Sequence, residues 1–315
     1  MTGQCLVTGG AGFIGSHLVD ALVAAGRPVR VLDDFSTGRR ENLSPGIELI
    51  EGSVTEPAVV AQAVAGCEVV FHLAAVASVA RSVENPLASH AVCATGTLNV
   101  LEAARQAGVR RVVYAASASA YGGASDLAGQ DENTPLEARS PYAAAKLAGE
   151  LYCEAFTHTF GLETVRLRFF NVYGPRQRAD SPYSGVIAIF AAALAAGQTP
   201  TIHGDGLQSR DFVSVADVVT ALLRAADTPG IAGRVYNVGT GRRVTLLELV
   251  EVLNRILDRS IVPHHGPPRP GDIRHSCARI DRIQTDLGYV PTVSLEEGLR
   301  RTLGLTSNSP PARVG

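Results

Sequence analysis

No stretch of the 315 residues supplies the roughly 20 consecutive apolar positions that a membrane-crossing helix needs, although 46% of the chain is hydrophobic. No basic segment followed by an apolar one precedes the first strand-like run, Gln4 to Thr8, so the chain is expected to be soluble and cytoplasmic. Cysteines are few and scattered. Cys5, Cys67, Cys93, Cys153 and Cys277 are odd in number and lack C-x-x-C spacing or nearby paired histidines, which argues against a disulfide framework and against a zinc site. They read as reduced, small apolar side chains, and no metal is expected. Neither sign of charge is in excess: 28 Lys and Arg against 30 Asp and Glu leave −2, with no basic stripe for a nucleic acid backbone. Any phosphate would be gripped locally.

What the sequence does contain is an alternation of strand-length apolar runs with helix-length amphipathic segments. Gln4 to Thr8, Val29 to Asp33, Ile47 to Ile50, Val69 to Leu73, Arg111 to Ala116 and Thr164 to Phe169 read as strands. Gly12 to Ala25, Pro86 to Gly108 and Tyr142 to Phe160 read as helices. This order predicts an α/β fold, a doubly wound parallel sheet of the Rossmann type. After Asn171 the texture breaks at Gly174-Pro175, Ser181-Pro182, Gly204-Asp205-Gly206 and Pro263 to Gly271. Here Asp217 to Ala226 and Leu246 to Ile256 read as helices and Val235 to Val238 as a strand. The expected division is a main domain at 1–170 to which part of the later chain returns, a smaller C-terminal α/β lobe at 171–306, and a flexible tail at 307–315.

Gly9-Gly10-Ala11-Gly12-Phe13-Ile14-Gly15 follows an apolar strand and opens a helix, the setting that a dinucleotide fingerprint requires. Without side chains the backbone can be approached closely, and the unpaired amides at the helix start carry the positive end of its dipole. Asp33 ends the second strand about 20 residues past the glycines, where a carboxylate accepts both ribose hydroxyls. That carboxylate would repel a 2′-phosphate, which favours NAD over NADP. Arg39 and Arg40 argue the other way, but as a pair they read better as cover for a solvated loop.

Tyr142 and Lys146 stand one helical turn apart, after Ser140-Pro141, so both side chains project from one face. Bringing a phenol from a pKa near 10 toward about 7 takes roughly 4 kcal/mol of preferential phenolate stabilisation, which a neighbouring ammonium and a cationic nicotinamide could supply. Ser117, at the end of the strand Arg111 to Ala116, offers a hydroxyl where open parallel sheets present residues to ligands. Ser119 is the alternative hydroxyl, with strand alternation expected to point it the same way. His72 reads as a structural histidine.

Taken together, Gly9 to Gly15, Asp33, Phe71 to Ala75, Ser117 to Gly122, Ser140 to Lys146, Arg168 to Gly174, Gly204 to Phe212 and Arg269 to Asp272 resemble the UDP-sugar 4-epimerases of the extended short-chain dehydrogenase/reductase type, over almost the whole chain. The resemblance implies an NAD enzyme with a nucleotide-sugar lobe, and a homodimer built from two long helices of each subunit. It assigns catalysis to Ser117, Tyr142 and Lys146. It assigns the cofactor to Gly9, Gly12, Phe13, Ile14, Gly15, Asp33, Ser53, Val54, Leu73, Ala74 and Ala75, together with Tyr142 and Lys146. The sugar nucleotide would meet Ser78, Ser117, Ser119, Tyr142, Asn171, Val186, His203, Arg210, Arg269, Asp272 and Ser276. Guanidinium forks at Arg210 and Arg269 suit a diphosphate.

Departures from the family are specific. Ser53 stands where aspartate is usual near the adenine, Cys93 replaces a frequent asparagine, and Ala77 stands where some members carry lysine. His203 occupies the place of an aromatic that stacks on the uracil. Related dehydratases and decarboxylases carry acids at the positions of Ala118 and Ser119, so epimerisation through a transient 4-keto sugar is expected. Ser276 is small beside the sugar's C2, which suggests room for an N-acetyl group and acceptance of both UDP-glucose and UDP-N-acetylglucosamine. The open alternatives are a UDP-glucuronate 4-epimerase, another nucleotide-sugar dehydratase or reductase, and a non-catalytic nucleotide sensor.

Overall fold

Parallel strands buried on both faces need near-continuous apolar runs, and the first half of the chain supplies them at helix-spaced intervals. The computed structural model describes residues 3–123, 129–178, 185–268 and 273–305. In chain order it forms β1 (Gln4–Thr8), α1 (Phe13–Ala24), β2 (Val29–Asp33), β3 (Glu48–Glu51), α2 (Pro57–Val64), β4 (Cys67–His72), α3 (Val79–Glu84), α4 (Pro86–His90), α5 (Gly96–Gln106), β5 (Arg111–Ser117), α6 (Pro141–Phe160) and β6 (Glu163–Phe169). There follow β7 (Asn171–Tyr173), α7 (Val186–Ala195), β8 (Thr201–His203), β9 (Ser209–Arg210), β10 (Phe212–Ser214), α8 (Val215–Asp227), β11 (Val235–Val238), β12 (Val244–Thr245), α9 (Leu246–Leu257), β13 (His264–Gly266), β14 (His275–Ser276), α10 (Asp281–Leu287) and α11 (Leu295–Thr302).

Seven strands make one sheet in the order β11-β6-β5-β4-β1-β2-β3, all paired in parallel. The order reverses between β1 and β4, the switch point outside whose carboxyl ends open sheets bind ligands. Cys5, Val7, Val31, Phe71 and Val113 pack one face against α1 and α8. Leu6, Leu32, Val70, Val112 and Tyr114 pack the other against α2, α5 and α6. A third cluster around Tyr173, Phe190, Leu194, Phe212, Leu249 and Leu253 is the core of the C-terminal lobe. Its strands are short: β7 pairs β10, β9 lies between β12 and β14, and β8 pairs β13.

Val235–Val238 is the outer strand of the main sheet, beside β6. Two expectations are adjusted. The expected helix Pro86 to Gly108 is two helices joined by a π-helical turn at Ala91–Thr95. The second concerns Ser119 and belongs to the site. Ser181-Pro182 and the tail at 307–315 lie outside the described residues.

Candidate active site

A cavity of about 630 Å³ opens over the switch point, walled by the start of α1, the ends of β2, β4 and β5, and the first turns of α6. Its floor is the glycine turn. Gly9 takes φ +70°, and Gly12 donates back to the Gly9 carbonyl at 3.1 Å, so the chain doubles over before the helix. A Cβ on Gly15 would overlap that carbonyl, and one on Gly9 would come within 2.9 Å of the Ala74 backbone. No side chain caps α1 and no acid occupies its first turn, which leaves the positive end of its dipole to the cavity.

Asp33 closes one end of this floor. Its Oδ2 accepts from the Ala11 N–H at 2.9 Å and its Oδ1 from the Phe35 N–H at 2.9 Å. Burial pushes its carboxyl above the ordinary range while the two N–H groups pull it back. Phe35 pays for its bond with a φ of +54°, strained for a residue with a side chain. Arg40 pairs with Glu51 at 2.6 Å and stacks on Phe35, so it covers the loop as expected, whereas Arg39 lines the cavity.

At the other end Ser140 caps α6 by accepting from the Ala143 N–H, and the Tyr142 N–H, an orphan donor of the first turn, is taken by the buried Ser82 hydroxyl at 3.0 Å. Tyr142 and Lys146 therefore enter the cavity wall on one fixed face. Ser117, at the end of β5, is the side chain whose hydroxyl draws the Tyr142 phenol down. Ser119 sits in a 3₁₀ turn rather than on a strand, and donates to the Ser117 oxygen through both its N–H, at 3.2 Å, and its hydroxyl, at 2.9 Å. Two donors from Ser119 leave the Ser117 proton to another acceptor. In the protein alone burial pushes the Tyr142 phenol above its ordinary pKa, with the Ser117 bond as the opposing effect. Lys146 is pushed down, chiefly by burial.

The sequence profile of the NAD-dependent epimerase/dehydratase family matches residues 5–239. The chain belongs to this family. It is 41% identical over 311 residues to a UDP-glucose 4-epimerase of Mycolicibacterium smegmatis, covering 97% of this chain and 99% of the relative. Among solved structures it resembles a UDP-glucose 4-epimerase with UDP-glucose from Thermotoga maritima, with a TM-score of 0.92, 39% identity, and 96% and 97% of the two chains covered. It resembles equally a UDP-N-acetylglucosamine 4-epimerase from Methanobrevibacter ruminantium in complex with UDP-N-acetylmuramic acid, with a TM-score of 0.92, 36% identity, and coverage of 96% and 97%.

The family's cofactor is NAD, and the floor of the cavity fits it. Gly9, Gly12, Phe13, Ile14 and Gly15 would take the pyrophosphate and Asp33 the adenosine ribose, with Val54, Leu73, Ala74 and Ala75 along the walls. The Ser53 hydroxyl accepts from the Thr55 N–H and hydroxyl, and its neighbours Gly52 and Val54 line the cavity. His72 is structural, as expected. Thr97 donates to the Cys93 carbonyl and so accepts from Nε2, while Thr8 donates to Nδ1 at 2.7 Å; burial, with the Lys146 charge, pushes the ring's pKa down to about 3 and keeps it neutral.

Of the residues expected to meet the sugar nucleotide, Ser78 and Tyr142 line the cavity, while Ser117 and Ser119 are bonded to each other outside its lining. Asn171, Val186, His203, Arg210 and Ser276 are not in its wall. Yet the C-terminal strands collect three of them: Ser276 pairs with Arg210 across β14 and β9, and Asn171 pairs with Phe212 across β7 and β10. His203 directs Nδ1 to the Pro267 carbonyl at 3.2 Å, and Val186 packs against the lobe core. Arg269 and Asp272 lie outside the described residues. Asp211 holds this cluster together, accepting from the Thr240 N–H and hydroxyl, the Gly241 N–H and the Ala278 N–H.

Sequence reasoning missed Arg81, Arg176, Gln177 and Arg178, which also line the cavity. The last three follow the Gly174-Pro175 break, where Arg176 takes φ +65° and pairs with Asp20 of α1 at 2.8 Å. It also missed a signal in the composition: of the 28 Lys and Arg residues only one, Lys146, is lysine.

Proposed function

We propose that this protein interconverts the C4 epimers of a UDP-sugar, with UDP-glucose and UDP-galactose as the first pair and their N-acetylamino counterparts as the second. The observation that carries the reading is Tyr142 and Lys146 together in the wall of the cavity, with the Ser117 hydroxyl that Ser119 holds acting on the phenol and no acid at positions 118 and 119 to eliminate water or carbon dioxide. NAD, when bound, supplies the acceptor that takes up the C4 hydrogen with its electron pair and gives it back. Tyr142 takes the proton of the C4 hydroxyl, Ser117 shares it, and Lys146 places a positive charge beside the phenolate. The lobe strands bearing Asn171, Arg210 and Ser276 would anchor the nucleotide while the sugar turns. Similarity to a UDP-glucose and to a UDP-N-acetylglucosamine 4-epimerase supports the two substrate pairs.

A uronic acid sugar is the second reading, favoured by Arg81 and Arg178 in the same cavity, whose guanidinium groups suit a carboxylate. The test is incubation of the purified protein with UDP-glucose, UDP-N-acetylglucosamine, UDP-glucuronate and dTDP-glucose, with products identified by NMR and bound NAD counted. C4-inverted product with NAD retained is expected. NADH released in proportion to turnover, or a dehydrated or decarboxylated product, would overturn the reading, and equal activity of Tyr142→Phe and the parent would remove Tyr142 from it. We further propose a homodimer: Leu87 of α4 and Leu151 of α6 are 81% and 60% exposed on helices that pack together, and a second copy would cover them. Light scattering should give about twice 32.9 kDa.

A further inference from the structure

The ammonium of Lys146 lies over the ring of Tyr114, with Nζ 4.7 Å from the centroid, and both side chains are buried. The Tyr114 hydroxyl donates to the Lys146 backbone carbonyl at 3.1 Å. One side chain thus holds this lysine at both ends. Gly149, the next position round the same helix, makes room for it, since a Cβ there would overlap the Tyr114 hydroxyl. His72, the cross-strand neighbour of Tyr114, packs its ring 5.7 Å away and stays neutral between Thr8 and Thr97, so it does not compete for the negative face of the phenol.

We propose that Tyr114 is the positioning residue of Lys146, its ring face keeping the ammonium charged and directed into the cavity while its hydroxyl fixes the turn of α6 that carries it. The inference rests on the reading of Tyr142 and Lys146 as the reactive pair. An aromatic face attracts a cation electrostatically, most strongly where water is excluded, and burial otherwise disfavours the charged lysine. The titratable groups facing the ammonium are Tyr114 of β5, His72 of β4, Cys93 of the π-helical turn and, on α6 itself, Tyr142 one turn before with Glu150 and Cys153 after. Of these, the Glu150 carboxylate acts with the ring to favour the charge.

Because Lys146 is the single lysine, lysine labelled with ¹³C at Cε gives one side-chain resonance whose pH titration reads its pKa directly, with or without activity. The test uses the full chain as purified, with Tyr114→Phe as reference and mono-, di- and trifluorinated phenylalanines at position 114, which keep the shape and drain the ring's negative face. The expected result is a titration midpoint that falls with each fluorine, by about one pH unit over the series. The alkaline limit of kcat should move with it while KM stays level, so that at a pH above the shifted midpoint kcat falls about tenfold. A midpoint unmoved by fluorination overturns the proposal even if Lys146→Met is inactive. A Lys146→Met variant as active as the parent overturns the reactive-pair reading, and the proposal with it.

Discussion

Removing the carboxylate of Glu150 should destabilise the protein by about 3–5 kcal/mol, the cost of stranding a buried charge whose partner has gone. Glu150 is 1% exposed and lies one turn past Lys146 on α6; it accepts from Arg168 Nε at 3.0 Å and from its second amino nitrogen at 2.8 Å. Arg168 is 4% exposed. Burial alone would lower the pKa of its guanidinium, and the Glu150 carboxylate with the Tyr121 oxygen outweighs it and holds the group well above its ordinary value. Glu150→Ala leaves that cation with the Tyr121 hydroxyl at 2.9 Å and the Glu132 carbonyl at 3.5 Å, neither of them charged, and opens a cavity. With a urea dependence of about 3 kcal/mol/M the unfolding midpoint should drop by about 1.0–1.7 M. The double variant Glu150→Leu, Arg168→Met removes both charges and should recover most of the loss, since a buried pair replaced by apolar groups of similar volume is near neutral. Urea unfolding followed by circular dichroism reads all three chains. A single variant within about 1 kcal/mol of the parent, or a double variant no more stable than the single, would refute the reasoning.

Ser117→Ala should lower kcat about 100-fold with little change in KM, because it removes the hydroxyl that shares the substrate proton, and steady-state kinetics would contradict this with a loss below about threefold. Asp33→Asn faces one of the Ala11 and Phe35 N–H groups with an amide donor and removes the charge at the ribose; calorimetry should show NAD binding weakened about 10- to 100-fold and discrimination against NADP reduced. His72 carries a pH signature. Its pKa falls from 6.5 to about 3 on folding, so the folded state binds fewer protons; the stability it contributes is complete above pH 6.5 and is lost as pH drops toward 3. By pH 5 the loss is about 2 kcal/mol. A His72→Gln variant should show a flatter fall in unfolding midpoint between pH 6.5 and 5, and an unchanged slope would assign the acid sensitivity elsewhere.

The strands of the main sheet were legible to within two residues because each is an apolar run flanked by turn chemistry, and β1 and β2 coincide with their expected bounds. The C-terminal strands were not, since two or three residues such as Ser209–Arg210 or His275–Ser276 carry no period to detect. The glycine turn, Asp33 and the Tyr142–Lys146 spacing were readable because each answers to a local geometric demand. Ser119 was placed for the wrong reason: it reaches Ser117 through a 3₁₀ turn, where strand alternation no longer applies. Ser53, expected in the cofactor wall, accepts two bonds from Thr55 and keeps its own proton to donate, a local turn that its residue type alone does not announce. Arg81 and Arg176 reach the cavity through tertiary packing, to which a linear pattern is blind.

One face of α6 explains why chemistry and architecture cannot be separated here. Tyr142, Lys146, Gly149 and Glu150 recur at helical spacing, so they share a side, yet each does something different there. The first two enter the cavity; the third clears space for Tyr114; the fourth fixes Arg168. From Arg168 a buried chain of hydrogen bonds passes through the Tyr121 hydroxyl to Asn237 at 2.6 Å, from Asn237 to the Gln130 carbonyl at 2.9 Å, and from the Gln130 side chain to the Cys277 N–H at 2.9 Å, beside Ser276. A fully satisfied buried network of this kind is rigid, because breaking any member strands a polar group without water. The reactive helix and the strand that would meet the sugar nucleotide are therefore registered to one another by groups that never touch a ligand. A conservative change in the middle of the chain, Asn237→Leu, should accordingly raise KM for the sugar nucleotide while leaving NAD affinity intact, whereas loss of both together would show that the network supports the sheet alone.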